Sequence, residues 1–308
     1  MFNVLVTAPP VVLKSERYRQ LFLDNGMVPT FLESEQQVAK NVLLSKVGDF
    51  DGWMLGDDVC DREVLVAGKN GVLRGALRWG AGFDNVDFMA ATELGIQIVN
   101  TPGTFANEVA DMAIGYLIAL ARDIPQVSQK VFLGQWSKPT GSSLAEKTVG
   151  VVGLGVIGKA IVRRLQVLEM QVIGYDPQGI QEIQGSFEQL PWPAGLETLD
   201  YLILACPLTP ENHRMINRSV ISLMKPNCKI INVARGGLID ERDLIWALRE
   251  GRISAAALDV FETEPLGVSE LLDFKQNIYG SHNASNTVEA VDRTTRIAVE
   301  KLAKILGG

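Results

Sequence analysis

Four side chains with the chemistry to bind an anion and move a proton follow three successive apolar segments. Arg235 comes after KIINVA, Asp259 after ISAAAL with Glu264 shortly behind it, and His282 after NIYGS. The apolar segments predict parallel strands, whose carboxyl ends share the sheet edge at which ligands bind. A guanidinium holds a carboxylate through two hydrogen bonds, and an imidazole beside a carboxylate is stabilised in its charged form. We therefore expect these side chains to form one site at this edge.

A glycine-rich turn between an apolar strand and a helix predicts a second part of the same edge. The segment TVGVVGLGVIG carries Gly153, Gly155 and Gly158 in the spacing GxGxxG. The first glycine permits a tight turn, the second lets a pyrophosphate approach the backbone, and the third lets helix and strand pack closely. The N-terminus of the helix offers N–H groups to phosphates. The turn predicts a dinucleotide site, the alternative being a packing turn alone.

The next apolar segment, MQVIGYD, ends in Asp176, 18 residues after Gly158. This is near the spacing at which a carboxylate binds the 2′-hydroxyl of the adenosine ribose. A carboxylate repels a 2′-phosphate, so the sequence favours NAD over NADP. The alternative is an acid on the surface without a ligand.

The elements that position these residues form two series of alternating strands and helices. Such alternation predicts α/β domains, each with a parallel sheet covered on both faces. A long helix pattern over 101–124 joins the two series, and an amphipathic helix over 287–306 closes the chain. We predict a flavodoxin-like substrate domain of residues 1–100 plus 286–308 and a Rossmann domain of residues 101–285.

Helix boundaries inside the first series are also predicted. Ser34, the first residue of SEQQVAKNVLLSKV, has the residue type that caps a helix, as does Asp61 before REVLVAGK. The three cysteines are widely spaced without a CxxC pair, so the sequence indicates neither a disulfide framework nor a metal site.

The amino-acid composition limits the classes of binding partner that we expect. The 308 residues are 47% hydrophobic and 21% charged, with a net charge of -7. An acidic balance without Lys/Arg runs argues against nucleic acid or an anionic membrane surface as partner. No stretch approaches the roughly 18 apolar residues of a membrane helix, and the N-terminus does not match a signal peptide. We expect a cytoplasmic protein acting on a small molecule.

Several motifs in order resemble the D-isomer-specific 2-hydroxyacid dehydrogenase family, which includes D-lactate, glycerate and phosphoglycerate dehydrogenases. The resemblance covers nearly the whole chain. Its motifs are RWGAGFDNVD (78–87), NTPGTFANEVAD (100–111), VGLGVIG (152–158), PLTPENH (207–213), NVARGGLIDE (232–241), LDVFETEP (258–265) and the segment around His282.

The resemblance implies catalytic roles for Arg235, Glu264 and His282. Arg235 would bind the substrate carboxylate and polarise the carbonyl, His282 would exchange the proton, and Glu264 would hold its imidazole. Backbone N–H groups of Ala81 and Gly82, with Arg78 nearby, would bind substrate. Residues implied in binding NAD are Gly153, Gly155, Val156, Ile157, Gly158, Asp176, Cys206, Pro207, Val233, Ala234 and Asp259, the last facing the nicotinamide amide.

Two departures leave the substrate open. Family members commonly have Pro before this histidine and an apolar residue after it, where this chain has Ser281 and Asn283. In the segment GDDVCD, acidic side chains would disfavour a second anionic group on the substrate, whereas Arg78 would attract one. The sequence therefore does not show whether the substrate acid is phosphorylated. It leaves open both a phosphoglycerate dehydrogenase-like activity and an activity on an unphosphorylated acid.

Two further expectations follow from the resemblance. A homodimer is expected, with the helix over 103–122 apolar enough to serve both its own domain and a partner. A different class of protein on the same fold is an NAD(H)-sensing binding protein or corepressor. Such a protein has less need of Arg235, Glu264 and His282, so the presence of all three favours an enzyme.

Overall fold

The computed structural model describes residues 1–179, 183, 185 and 187–307. The chain divides into two compact units, Met1–Phe105 with Asn286–Gly308, and Ala106–Ser285. The boundaries predicted from the sequence are at residues 100 and 285.

The first unit is a parallel sheet with the strand order β2-β1-β3-β4-β5, which is the flavodoxin-like order. Its elements are β1 (Phe2–Val6), α1 (Pro9–Val12), α2 (Ser15–Asp24), β2 (Met27–Phe31), α3 (Lys40–Lys46), β3 (Gly52–Leu55), α4 (Arg62–Asn70), β4 (Gly75–Arg78), α5 (Phe88–Glu93) and β5 (Gln97–Asn100).

The second unit is a parallel sheet with the order β12-β11-β10-β9-β6-β7-β8, a Rossmann arrangement with an added edge strand. Its elements are α6 (Ala106–Arg122), α7 (Ile124–Phe132), β6 (Thr148–Val152), α8 (Val156–Val167), β7 (Gln171–Tyr175), β8 (Phe187–Gln189), β9 (Tyr201–Leu204), α9 (Arg218–Ile221), β10 (Lys229–Asn232), α10 (Glu241–Arg249), β11 (Ala255–Leu258) and β12 (Ile278–Tyr279). The closing helix α11 (Val288–Gly307) returns to the first unit and packs on β3 and β4. The predicted fold class, two parallel-sheet α/β domains, is confirmed.

The central strands of both sheets are buried on both faces. Every residue of β3, β4, β9 and β11 is buried. Continuous apolar strands of this kind need helices on each side of the sheet. The cores therefore hold the strands rigidly, and the turns after the strands carry the polar chemistry.

The predicted helix after Ser34 is wrong in its first part. Helix α3 begins only at Lys40, and the preceding segment is a loop. The backbone N–H of Val38 donates to Asp58 Oδ1 at 2.7 Å, a tertiary hydrogen bond that competes with a helical one. The predicted cap at Asp61 is confirmed, since its Oδ1 accepts from Val64 N at 3.1 Å.

Asp58 is a fully buried carboxylate that fixes the turn after β3. It accepts hydrogen bonds from the hydroxyl of Thr7 at 2.6 Å, from Val38 N and from Gly56 N at 3.0 Å. The Trp53 indole donates to the same Thr7 hydroxyl at 2.9 Å. Burial raises the pKa of Asp58, and the donors oppose that rise. One side chain thus joins three separate segments of the first unit.

Replacing Asp58 should destabilise the first unit. Asp58→Ala leaves the buried donors of Thr7, Val38 and Gly56 without their acceptor, and we expect a loss of about 2–3 kcal/mol in the free energy of unfolding. Urea titration followed by tryptophan fluorescence measures the loss. Asp49→Ala, at an exposed acid of the same unit, should change stability by less than about 0.5 kcal/mol. Equal stability of the two variants would contradict this role for Asp58.

Candidate active site at the strand ends

Six strands of the second unit end in one row. The registers place Tyr175 beside Val152, Val152 beside Leu204, Leu204 beside Asn232, Asn232 beside Leu258, and Leu258 beside Tyr279. These are the last residues of their strands. The segments that carry the glycine turn, Asp176, Cys206, Arg235, Asp259 and His282 therefore leave the sheet at the same edge.

The glycine turn begins at this edge, directly after β6. Gly153 has φ +90°, and an added Cβ there would lie 2.6 Å from Cys206 Cα. A Cβ on Gly158 would lie 1.9 Å from the carbonyl oxygen of Gly153, so both positions require glycine. Gly155 is exposed, with nothing within 4 Å of such a Cβ. The turn thus leaves open space only at the glycine assigned to the phosphates.

The N-terminus of α8 faces that space. Among the residues that the structure describes, no side chain caps it, and Val156 is 61% exposed. Ile157 is half-buried on the same first turn. Exposed N–H groups at the positive end of a helix dipole form an anion site. The residues present therefore fit a dinucleotide pyrophosphate.

Asp176 lies beside the glycine turn. Its Oδ2 accepts from Leu154 N at 2.8 Å, and its Oδ1 accepts from Gln178 N at 2.9 Å. These bonds fix the carboxylate in position at the end of β7. Each oxygen keeps a second lone pair with which it can accept a hydrogen bond from a sugar hydroxyl.

Cys206 and Pro207 form the wall across from the turn. Burial raises the pKa of the Cys206 thiol to about 11, so the thiol is neutral near pH 7. The backbone and Cβ of Cys206 lie close to Gly153, whereas Pro207 is exposed. The thiol is consequently a packing group here rather than a nucleophile.

Arg235 stands on a turn that Asn232 holds. The Asn232 side chain is fully buried, donates to Arg235 O at 2.8 Å and accepts from Ala234 N at 3.0 Å. The Arg235 guanidinium donates to Ala234 O at 2.9 Å. Val233 is buried, while Ala234 and Arg235 are partly exposed. Sequence analysis missed Asn232 as a positioning residue; a lone amide at the end of an apolar strand was the available signal.

His282 and Glu264 are in direct contact. His282 Nδ1 lies 2.6 Å from Glu264 Oε2, and Glu264 Oε1 accepts from Phe261 N at 3.0 Å. Their side chains are 22% and 19% exposed. A carboxylate at this distance orients the ring and stabilises the imidazolium form. The pairing expected from the resemblance is thus present in the geometry.

Asp259 holds the turn that carries His282 through hydrogen bonds. It is 1% exposed, its backbone oxygen accepts from His282 N at 2.7 Å, and its side chain accepts from Ala284 N at 2.9 Å. The hydroxyl of Tyr116 donates to it at 3.0 Å. These bonds hold His282 at φ +54°, a conformation unusual for a residue other than glycine. Asp259 therefore scaffolds the histidine turn, a contribution that the sequence reading did not assign, and Tyr116 was missed.

In the first unit, the segment Trp79–Gly82 forms a backbone cradle after β4. Thr101 Oγ1 accepts from Gly80 N at 2.9 Å, and Asn100 Nδ2 donates to Ala81 O at 2.7 Å. Within the described part of the chain, the N–H groups of Ala81 and Gly82 donate no hydrogen bond to another protein group. Two half-buried N–H groups on a fixed loop can bind a carboxylate.

The fold of the second unit and its glycine turn define a Rossmann-type dinucleotide-binding unit. Residues 114–284 match the family described as D-isomer specific 2-hydroxyacid dehydrogenase, NAD binding domain. The chain belongs to this family, as the resemblance of its motifs indicated, and a nicotinamide cofactor follows from that membership.

Two of the curated relatives carry different named activities. A D-3-phosphoglycerate dehydrogenase from Methanocaldococcus jannaschii is 38% identical over 284 residues, which are 88% of this chain and 52% of that protein. This chain thus spans about half the length of that relative. A glyoxylate reductase from Thermofilum pendens is 35% identical over 281 residues, 88% of this chain and 82% of that protein.

Solved structures with the same fold include two named 2-hydroxyacid enzymes, one of which is described as NADPH-dependent. Apo D-lactate dehydrogenase from Escherichia coli has a TM-score of 0.84 at 28% identity, covering 99% of this chain and 97% of that one. An NADPH-dependent glyoxylate/hydroxypyruvate reductase from Sinorhizobium meliloti, in complex with NADP and malonate, has a TM-score of 0.81 at 31% identity, covering 96% and 91%.

Two kinds of feature are absent from the described residues. No helix in them is both long and apolar enough to cross a membrane. Nor do they contain a group of three or more His, Cys, Asp or Glu side chains that could hold a metal ion.

The two glycine environments predict different effects of one added methyl group. Gly155→Ala should leave the free energy of unfolding unchanged but weaken NADH binding at least about tenfold, because its Cβ occupies the open space above the α8 N-terminus. Gly158→Ala should cost about 2 kcal/mol of stability, because its Cβ meets a backbone carbonyl. Thermal unfolding and NADH fluorescence titration separate the two effects.

Gly115→Ala is the matched control, since this α6 glycine has nothing within 4 Å of an added Cβ. It should retain NADH affinity and change stability by no more than about 1 kcal/mol. Unimpaired NADH binding by Gly155→Ala would contradict the assignment of the phosphate site.

Proposed function

We propose that this protein is an NAD-dependent oxidoreductase that interconverts a small D-2-hydroxy acid and its 2-oxo acid. The contact of 2.6 Å between His282 Nδ1 and Glu264 Oε2 carries the proposal. A partly exposed imidazole held by a carboxylate, at the sheet edge that also carries a glycine turn, is suited to acid–base chemistry beside a redox cofactor.

The residues would divide the reaction as follows. NADH, when bound, supplies the hydride to the carbonyl carbon of the 2-oxo acid. His282 gives a proton from Nε2 to the carbonyl oxygen, and Glu264 stabilises the imidazolium through Nδ1. Arg235 holds the substrate carboxylate and polarises the carbonyl. In the oxidation direction His282 accepts the hydroxyl proton.

Asp176 supports NAD as the cofactor rather than NADP. Its carboxylate is fixed beside Leu154 by a 2.8 Å hydrogen bond, where it suits a pair of ribose hydroxyls. A 2′-phosphate would meet its negative charge. Gly153, Gly155 and Gly158 would frame the pyrophosphate, and Asp259 would contribute to the nicotinamide end while it holds the histidine turn.

The cradle of the first unit would bind the substrate. Backbone N–H groups of Ala81 and Gly82 suit a carboxylate, since each amide adds a donor without a mobile side chain. The relatives are named for both a phosphorylated acid and glyoxylate. The proposed function therefore covers the shared 2-oxo acid group, with the remainder of the substrate set by neighbouring side chains.

The alternative function, an NAD(H)-sensing protein or corepressor, is less well supported. Binding of the dinucleotide requires only the glycine turn and Asp176. A function limited to dinucleotide binding gives no physical reason for the Glu264–His282 pair. Nor does it explain the buried amide of Asn232, which holds the turn carrying Arg235.

Removal of the imidazole should abolish turnover but not cofactor binding. His282→Ala is expected to lower kcat for glyoxylate reduction by about 10²–10⁴, because proton transfer loses its donor. NADH consumption at 340 nm across a panel of 2-oxo acids measures the rate, and repetition with NADPH tests the role of Asp176. We expect kcat/KM with NADH to exceed that with NADPH.

His213→Ala is the matched control, since it removes the only other histidine of the chain. It should keep activity within about threefold. Full activity in His282→Ala would refute the role of His282. Wild-type protein that binds NADH yet reduces no member of the panel would favour the sensor.

We also propose that the protein is a homodimer, with a contact surface on α7 rather than α6. Helix α6 buries seven of its residues, including Leu117 and Leu120. In contrast, none of the nine residues of α7 is buried, and Phe132 and Trp136 are 90% and 81% exposed. A cluster of large apolar side chains on one surface is typical of a protein contact.

Negative charges introduced on that surface should dissociate the dimer. Wild-type protein should elute with twice the 33.6 kDa chain mass by size exclusion with light scattering, and the double variant Phe132→Glu, Trp136→Glu as a single chain. Val167→Glu is the control, at a residue that is 82% exposed at the end of α8, and should stay dimeric. A monomeric wild type at micromolar concentration would rule the dimer out.

A further inference from the structure

Arg78 is a charged residue in direct contact with the proposed carboxylate cradle. Its side chain is only 7% exposed, and its Nη1 donates to Trp79 O at 2.5 Å. A Cβ on Gly80 would lie 1.6 Å from the same Nη1, and Gly80 has φ +139°. The guanidinium therefore lies against the backbone of Trp79 and Gly80, the first two residues of the cradle.

Arg78 is paired with Asp57. Arg78 Nη2 and Asp57 Oδ1 are in direct hydrogen-bonded contact across the ends of β4 and β3. Asp57 also accepts from Gln36 Nε2 at 3.1 Å. A buried cation requires such a counter-charge, since a lone charge removed from water is strongly unfavourable. The pair is electrically neutral as a unit.

The two members of the pair are not equally accessible. The Asp57 side chain is 32% exposed, against 7% for Arg78. A ligand approaching this side of the cradle meets the carboxylate before the guanidinium. Asp61, further along the same turn, is in turn paired with Lys40 at 2.6 Å. The more exposed charge of the Arg78–Asp57 pair is thus the anion.

These contacts change how Arg78 can act. An arginine without a counter-ion at a strand end would bind a phosphate through its fork of donors. Here one donor is used by Asp57 and another by the backbone of Trp79. A phosphate near the guanidinium would also meet the negative charge of Asp57, whereas an uncharged substituent meets no such repulsion.

We infer that Asp57 is a specificity-determining residue, which neutralises Arg78 and selects 2-oxo acids without a second anionic group. The inference rests on the proposed function and narrows it to unphosphorylated acids of one negative charge. Arg78 itself is a positioning residue, because its guanidinium supports the Gly80 backbone and need not touch the substrate.

The test compares two substrates that differ by one phosphoryl group, hydroxypyruvate and its 3-phosphate ester. At fixed ionic strength, wild-type protein should favour hydroxypyruvate in kcat/KM by at least about 30-fold. Asp57→Asn keeps the shape of the side chain but releases the charge of Arg78. It should reduce that preference at least about tenfold, chiefly by raising kcat/KM for the ester.

Asp61→Asn is the control for net charge. It removes one negative charge from the same turn and retains a residue type that caps α4, at a carboxylate that is paired with Lys40. It should change the preference by less than about threefold. The comparison separates a specific release of Arg78 from a general change in surface potential.

Three results would overturn the inference. One is a wild-type protein that reduces the ester as efficiently as hydroxypyruvate, a result that stands even if Asp57→Asn fails to fold. Another is a folded Asp57→Asn, with a cooperative thermal unfolding transition above the assay temperature, whose preference equals that of wild type. The third is absence of turnover of both acids by a wild type that binds NADH, which refutes the proposed function as well and is thereby distinguished from the first two.

Discussion

Alignment of the strand ends is the constraint on which the chemistry of the second unit depends. Parallel neighbours lie about 4.8 Å apart, so residues that follow six aligned strands are brought together without any contact between their side chains. A slip of one residue in β11 would turn Asp259 to the other face of the sheet. It would also remove the backbone oxygen that holds His282 N at 2.7 Å. Backbone hydrogen bonding deep in the sheet thus sets the position of the proton-transfer group.

Buried polar side chains then convert these strand ends into fixed turns. Asn232, Asp259 and Asp58 are each almost fully buried, and each holds backbone N–H or C=O groups of the segment that follows a strand. Burial of such groups is unfavourable unless their hydrogen bonds are made. The hydrogen bonds that offset this unfavourable burial also hold the loops rigid. A site built from backbone groups requires such rigid loops. The same device occurs in both units, under Arg235, under His282 and behind Asp57.

Sequence patterns anticipated the fold and family because these depend on repeated, local features. Alternating apolar strands and helices, the spacing of Gly153 to Gly158 and the cap at Asp61 are all visible over a few residues. The helix expected after Ser34 failed because Val38 N bonds to Asp58, a partner 20 residues away. Tyr116 was missed for the same reason, since its hydroxyl meets Asp259 from 143 residues away. Single-sequence patterns contain no information on such distant partners.

The opposing charges of Asp57 and Arg78 show that sheet register determines which charged residues are neighbours, which the sequence alone does not reveal. In the sequence alone, the acidic turn argued against a second anionic group on the substrate, and the arginine argued for one. The register of β3 and β4 places Leu55 beside Arg78, so Asp57, two residues further on, emerges next to the guanidinium. The two charges are then one neutral pair with its carboxylate outward, and they no longer act as separate signals. The electrostatic field beside the cradle is therefore a property of strand pairing, and a residue remote in sequence from His282 becomes relevant to the choice of substrate.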